Sequence, residues 1–157
     1  MKKVFIIVLV GLISWSCQTK KEVREVSEEE VNRLVDRWLS LWSSYDLDLL
    51  DQIFWKDDQM TYFSSEQRGL IVGFDKMRPH HINFGFVAGG KEAAKSLWLE
   101  EIHTVRHKDM AVVDAVWYFG DRTIPKDSVQ NGPVTFVMVV DQKDQLKIAH
   151  THFANYE

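Results

Sequence analysis

The sequence contains one cysteine, Cys17, in 157 residues, so no intramolecular disulfide can brace the fold. It has no GxSxG turn to present a nucleophilic serine, and no serine stands beside a recognisable base. No HExxH segment is present, nor any cluster of histidine with aspartate or glutamate at established ligand spacing. The single glycine pair, Gly89-Gly90, lacks the Lys-Ser or Lys-Thr that would turn it into a phosphate loop. No basic stripe exists, and the formal charge is −4, which argues against nucleic acid as a partner. Internal repeats and low-complexity stretches are also missing. These absences exclude the common routes to nucleophilic, zinc-dependent and nucleotide-dependent chemistry, and they leave no pattern that calls for a cofactor.

The N-terminus is present for another purpose. MKKVFIIVLVGLISWSC places two lysines before an apolar run from Val4 to Ile13, then small residues before Cys17. That is the layout of a secretory signal, and the run is shorter than the roughly 20 residues that span a bilayer. A lone cysteine at this point resembles the lipobox of bacterial lipoproteins. Ser14 stands where that motif usually has leucine, and Trp15 is bulky for its place. The resemblance implies a signal peptide over 1–16, a lipidated Cys17, and a charged tether over 17–26 with almost nothing to bury. The expected address is the cell envelope, on the periplasmic side or the surface, with the membrane as a partner through the acyl anchor. One domain remains, from 27 to 157.

Ser27-Glu28-Glu29-Glu30 is a capping box. Apolar residues follow at Val31, Leu34, Val35, Trp38, Leu39, Leu41, Trp42 and Tyr45, the steps of an amphipathic helix that stops near Ser43-Ser44. A short second helix is expected from Leu47 to Phe54, capped by Asp46. Met60 to Phe63 and LIVGF read as short strands around the polar turn SSEQRG. Asp75 to about Phe86 forms a third helix, with Pro79 in its first turn or bending it. From Ser96 the period becomes two, and strands are expected over 96–106, 110–121, 133–141 and 145–154. Helices first and an antiparallel meander behind imply an α+β domain, with helices packed on one face of a curved sheet.

WLSLWSSYDLDLLDQIF, VGFDKMRPHH, AVVDAVWYFGD and the ending GPVTFVMVVDQKDQLKIAHTHFANYE, taken in this order, resemble the SnoaL-like, ketosteroid isomerase-like branch of the nuclear transport factor two-like superfamily. The resemblance covers about residues 27 to 156. Leu146 and Ala154 depart from it, standing where tryptophan and serine are frequent. It implies a cone: a strongly bent sheet wrapped around the long first helix, with a pocket open at one end and a homodimer formed through the outer sheet face. Isomerases, dehydratases and non-catalytic ligand-binding domains share that cone, so the fold does not decide the function.

The residues themselves offer two constellations. Asp114 lies in AVVDAVWYF, on one strand face with Val112, Val116 and Tyr118, opposite Ala115, Trp117 and Phe119. Pointing inward, its carboxyl would be desolvated into a general base with a tyrosine or histidine partner. Pointing outward, it would pair with a cross-strand lysine, arginine or histidine. His150 and His152 share one face of the last strand and read as polar residues near the cone mouth rather than metal ligands, one hydrogen-bonded inside it and the other partly exposed, with His150 a candidate ligand-binding residue and His152 the candidate polar partner of Asp114. His80 and His81 read as solvated helix-end residues. Trp42, Tyr45, Tyr62, Trp98 and Trp117 are the rings expected to line a cavity suited to a small apolar or aromatic ligand. The function expected is small-molecule binding; the alternative is a cofactor-independent isomerase or lyase using Asp114.

Overall fold

The computed structural model describes residues 24–156. The expected signal peptide and lipidated Cys17 lie outside the described residues. Helix α1 runs from Glu28 to Ser44 and begins as the capping box requires. The Ser27 hydroxyl accepts from the Glu30 amide at 3.2 Å, and the Ser27 amide donates to Glu30 Oε2 at 3.0 Å. The helix ends where Tyr45 turns left-handed, at φ 51°, and its amide bonds back to Leu41 O at 2.9 Å. The face formed by Val31, Leu34, Val35, Trp38, Leu41 and Trp42 is buried. Trp38 is fully enclosed and meets the edges of Phe136 and the face of Phe153, at 4.8 and 5.6 Å between ring centroids. Each such side chain contributes about 2 to 3 kcal/mol by leaving water.

A 3-10 turn, Leu47–Leu49, leads directly into the short helix α2, Leu50–Ile53. Strands β1 (Thr61–Phe63) and β2 (Leu70–Val72) follow, and then helix α3, Phe74–Phe84. Pro79 lies in the middle of α3, past its first turn, and the helix continues to a left-handed Gly85. Strands β3 (Ser96–His107), β4 (Met110–Gly120), β5 (Gln130–Val140) and β6 (Leu146–Phe153) complete the chain. The sheet order is β2-β1-β6-β5-β4-β3. All neighbours are antiparallel except β1 and β6, which run parallel with Tyr62 opposite Thr151. That pairing brings the first strand against the last, which no local pattern announces. The result is the expected α+β architecture, three helices on one face of a curved, unclosed six-stranded sheet.

Most boundaries shift by a residue or two, the expected helix over Leu47 to Phe54 shrinks to a 3-10 turn and a single α-turn, and two further differences have clear physical causes. β5 begins at Gln130, three residues before the expected start. Val26, placed in the tether by its charged neighbours, is 2% exposed and belongs to the core. Its amide donates to Lys108 O at 2.8 Å, while Arg106 donates to its carbonyl at 3.2 Å. Arg24 pairs with Glu30 and Asp144. A single valine among charges carries no periodicity, so only the docked structure assigns it to the domain.

Gly132 sets how closely the end of the chain approaches the sheet. A Cβ there would stand 1.9 Å from Ala154 O, so only glycine admits that carbonyl. The same oxygen accepts from Trp117 Nε1 at 3.0 Å, which fixes the indole at the end of the cone.

Candidate functional site

At the end of α1 the helices and sheet leave a narrow, partly open cleft with about 20 Å³ of accessible space, room for about one water while its walls stand as they are. Its walls are Trp42 from α1, Phe84 from α3, Leu97 from β3, Trp117 and Phe119 from β4, and Phe153 from β6. Trp42 is the hub of this cluster. It meets Phe84 and Phe86 edge-on at 5.2 Å, Phe119 at 5.9 Å and Phe153 at 6.4 Å. A group larger than a water enters only as these side chains part.

Polar groups line the cleft as well. Tyr62, Ser64, Ser65, Glu66, His80, His81 and Gln130 all reach the cavity. Gln130 Nε2 donates to Glu66 Oε1 at 2.5 Å and to Asn155 Oδ1 at 3.1 Å. Asn155 Nδ2 donates to Ser65 O at 3.4 Å. These bonds hold the β1–β2 loop against β5 and the C-terminal segment. His80 Nδ1 meets Gln67 Oε1 at 3.1 Å, and burial lowers its pKa against the opposing pull of Glu66.

His81 is strongly altered by its surroundings. It is 2% exposed, and its Nδ1 lies 3.1 Å from Met77 O, one turn earlier in α3. A carbonyl oxygen only accepts, so Nδ1 carries the proton and Nε2 keeps a bare lone pair. Burial pushes its pKa down to about 4, the Met77 bond opposes that shift, and His80 adds to it. His81 is therefore neutral at pH 7. Burial likewise pushes the Tyr62 phenol up, so it stays protonated.

Of the rings expected at the cavity, Trp42, Tyr62 and Trp117 line it. Tyr45 stands one layer behind, stacked on Phe86 at 4.6 Å and edge-on to Trp42 at 6.3 Å. Trp98 is on the opposite face of the sheet. It stacks on its cross-strand partner Tyr118 at 5.3 Å, under the Arg122 guanidinium at 5.0 Å. Asp114 is also on the outer face and exposed, opposite His103 on β3 and Thr135 on β5. Its carboxylate accepts from Thr135 Oγ1 at 2.6 Å. The general-base role in a desolvated cavity thus has no geometric basis, because Ala115 and Trp117 take the inward positions of β4.

The two terminal histidines follow the same parity. Thr151 and Phe153 point inward, so His150 and His152 face outward and neither rims the cavity. His150 Nδ1 is 2.8 Å from Thr61 Oγ1; its pKa is lowered by burial first and by His152 second. His152 is exposed beside the Phe63 ring at 5.1 Å. Among the described residues no three histidine, cysteine, aspartate or glutamate side chains converge as metal ligands.

His80 and His81, read as solvated, are the histidines the cavity does contain. A signal existed: Phe74, Met77 and His81 fall at steps of three and four on the buried face of α3. Glu66, Gln130 and Asn155 had none, since three separate segments supply them.

No family model matches the sequence, and no curated protein matches it significantly. Solved structures do. A nuclear transport factor two-like superfamily protein from Salmonella enterica superposes with a TM-score of 0.64 at 18% identity, covering 82% of this chain and 90% of that one. A candidate ketosteroid isomerase from Parabacteroides distasonis gives 0.64 at 18%, covering 87% and 93%. The fold is the nuclear transport factor two-like cone. An uncharacterised Caulobacter vibrioides protein with a cystatin-like fold gives 0.63 at 13% identity, covering 82% and 89%. In this cone the aromatic cavity occupies the interior between α1 and the sheet, and Asp114 lies outside it.

Proposed function

We propose that the protein binds a small, planar, largely apolar molecule inside its cone. The observation that carries the reading is the cleft itself: six apolar side chains from five elements, with polar groups among its lining. That distribution suits a ligand held by area and oriented by one polar edge. Titrating the purified protein with naphthalene while following its indole resonances tests this. Shifts of Trp42 and Trp117 are expected, with Trp98 and Trp55 still; a spectrum unchanged up to saturation would count against it.

Proton-transfer chemistry is the second reading, and it now rests on the cavity histidines rather than on Asp114. A base with a pKa near 4 is a weak proton acceptor at neutral pH, which favours His81 as a hydrogen-bond partner over a catalytic base.

Export and lipid anchoring at Cys17 are supported by the leader, its lysines and the cysteine that ends it. Mass spectrometry of the membrane fraction tests the anchor; a mature chain carrying an unmodified Cys17 would rule it out. A homodimer through the outer sheet face is supported by the apolar row Val105, Val112 and Val137, aligned across β3, β4 and β5. Val105 is 51% exposed at the edge of that row. Light scattering that finds a monomer at every concentration would overturn it.

A further inference from the structure

The N-terminal half of α1 faces a second groove, which shares no lining residue with the aromatic cleft. It holds about 250 Å³ between Arg33, Leu34 and Arg37 of the helix and the Asp144 to Lys147 segment that leads into β6. Arg24 and Glu30 complete its lining. The carboxylates around it are already engaged. Glu30 and Asp144 both hold Arg24, and Glu29 holds Arg33 at 3.0 Å. Asp51 holds Lys56 at 2.6 Å, and Asp141 accepts from the amides of Lys143 and Gln145 at 2.8 and 2.9 Å. Two cations are left over. Among the described residues Arg37 makes no ion pair, and Lys147 bonds only to the Gln52 carbonyl oxygen, at 2.6 Å. Lys147 is nonetheless 7% exposed. Loss of water lowers its pKa, Asp141 opposes that shift and Arg37 adds to it, so the two charges sit close enough to repel.

We infer that this groove binds a phosphate monoester, its anion between Arg37 and Lys147 and its organic group against Leu34 and Leu146. Two unneutralised cations call for two negative charges, and a phosphate monoester carries nearly that many at pH 7.5. A carboxylate would compensate only one of them. The Arg37 guanidinium can present two parallel donors to phosphate oxygens, and the Lys147 ammonium keeps donors beyond the one given to Gln52. Arg33, one turn before Arg37 on the same helix face, adds to the positive field. An anion placed between two cations removes their mutual repulsion and replaces the water that Lys147 has lost. Such esters occur free in solution and as the headgroup of phosphatidic acid. Arg24 lies seven residues past the expected anchor at Cys17, at most about 25 Å of chain, so both sources can reach the groove. The site is separate from the aromatic cleft and does not depend on the ligand proposed there.

Phenyl phosphate and benzoate, titrated into the purified protein at pH 7.5 and constant ionic strength, test the site. The side-chain nitrogen resonances of Arg37 and Lys147 should move with phenyl phosphate, and Lys147 should hold its proton to higher pH once the ester is bound. Phenyl phosphate should bind at least fivefold more tightly than benzoate. Arg37→Gln, at an exposed position with no ion pair to lose, should weaken it at least tenfold. Arg122→Gln, over Trp98 on the outer sheet face, should leave it unchanged. Equal affinity for the two probes, or equal loss in the two variants, would reduce the groove to a diffuse positive surface and overturn the inference. So would Arg37 and Lys147 resonances that stay still in the unsubstituted protein, a readout that needs no variant to fold. Phosphatidylcholine vesicles with and without phosphatidic acid separate the two sources. A Cys17→Ser chain, free of any acyl anchor, that is retained only on the acidic vesicles and released by Arg37→Gln would assign the site to a headgroup. Binding of phenyl phosphate with no vesicle retention would assign it to a free ester, and binding of neither would overturn it.

Discussion

His81 donates through Nδ1 to the carbonyl oxygen of Met77, 3.1 Å away, and that single bond fixes which nitrogen faces the cavity. It also ties stability to pH. The unfolded chain takes up a proton on this imidazole near 6.5, whereas the folded chain does so only near 4. Stability is therefore present in full above 6.5 and is lost as pH falls from 6.5 toward 4. The shift corresponds to about 3 kcal/mol. His80 and His150, also lowered by burial, act in the same direction. Urea unfolding at pH 7.5 and 4.5 measures it. His81→Phe should remove most of the loss, and a variant with the full loss would show that another group is responsible.

Gly132 and Gly69 provide a matched pair. An alanine at 132 would drive its Cβ into Ala154 O, a backbone atom, and separate β5 from the C-terminal segment. About 3 kcal/mol of destabilisation is expected, with altered Trp117 fluorescence as its bond to Ala154 O breaks. Alanine at 69 meets nothing within 4 Å and suffers only the strain of φ +95°. There the expected cost is about 1 kcal/mol. Equal thermal shifts in the two variants would contradict this account.

Gln130 joins Glu66 to Asn155 across the cavity mouth. All three side chains are solvent-exposed, so Gln130→Ala should cost only about 0.5 to 1 kcal/mol. The effect should instead appear in motion. Amide exchange over residues 64–67 should quicken several-fold, and a bound planar probe should leave faster. Unaltered exchange in that loop would mean the latch is not what holds it.

Asp114→Asn separates the inner from the outer face of the sheet. The carboxylate is exposed and bonded to Thr135, so the substitution should change stability by less than about 1 kcal/mol. Affinity for any ligand in the cone should not change. A tenfold loss of affinity would place the ligand on the outer face and not in the cavity.

Much of the scaffold was legible because its signals are local. The Ser27 box and the spacing from Val31 to Trp42 place α1 to the residue, since caps and a 3.6-residue stripe act within a few turns. The alternation after Ser96 likewise locates β3 to β6 within a few residues. Which face of those strands is inward was not legible. β4 carries Val112 and Val116 on one face and Val113, Ala115 and Trp117 on the other, so hydrophobicity could not choose between them.

By itself, then, the sequence determined the elements, their order, and the pairing of residues onto common faces: Asp114 with Val112, His150 with His152. Only the tertiary structure decided which set enters the cone. It turned Trp117 and Phe153 inward and Asp114, Trp98, His150 and His152 outward. The physical reason is that a strand's side chains alternate with a period of two, so reversing the face exchanges every residue at once. That reversal is settled by packing against α1 and by the parallel contact between β1 and β6, both far apart in sequence. His81 joined the site in the same way, carried there by the buried face of α3.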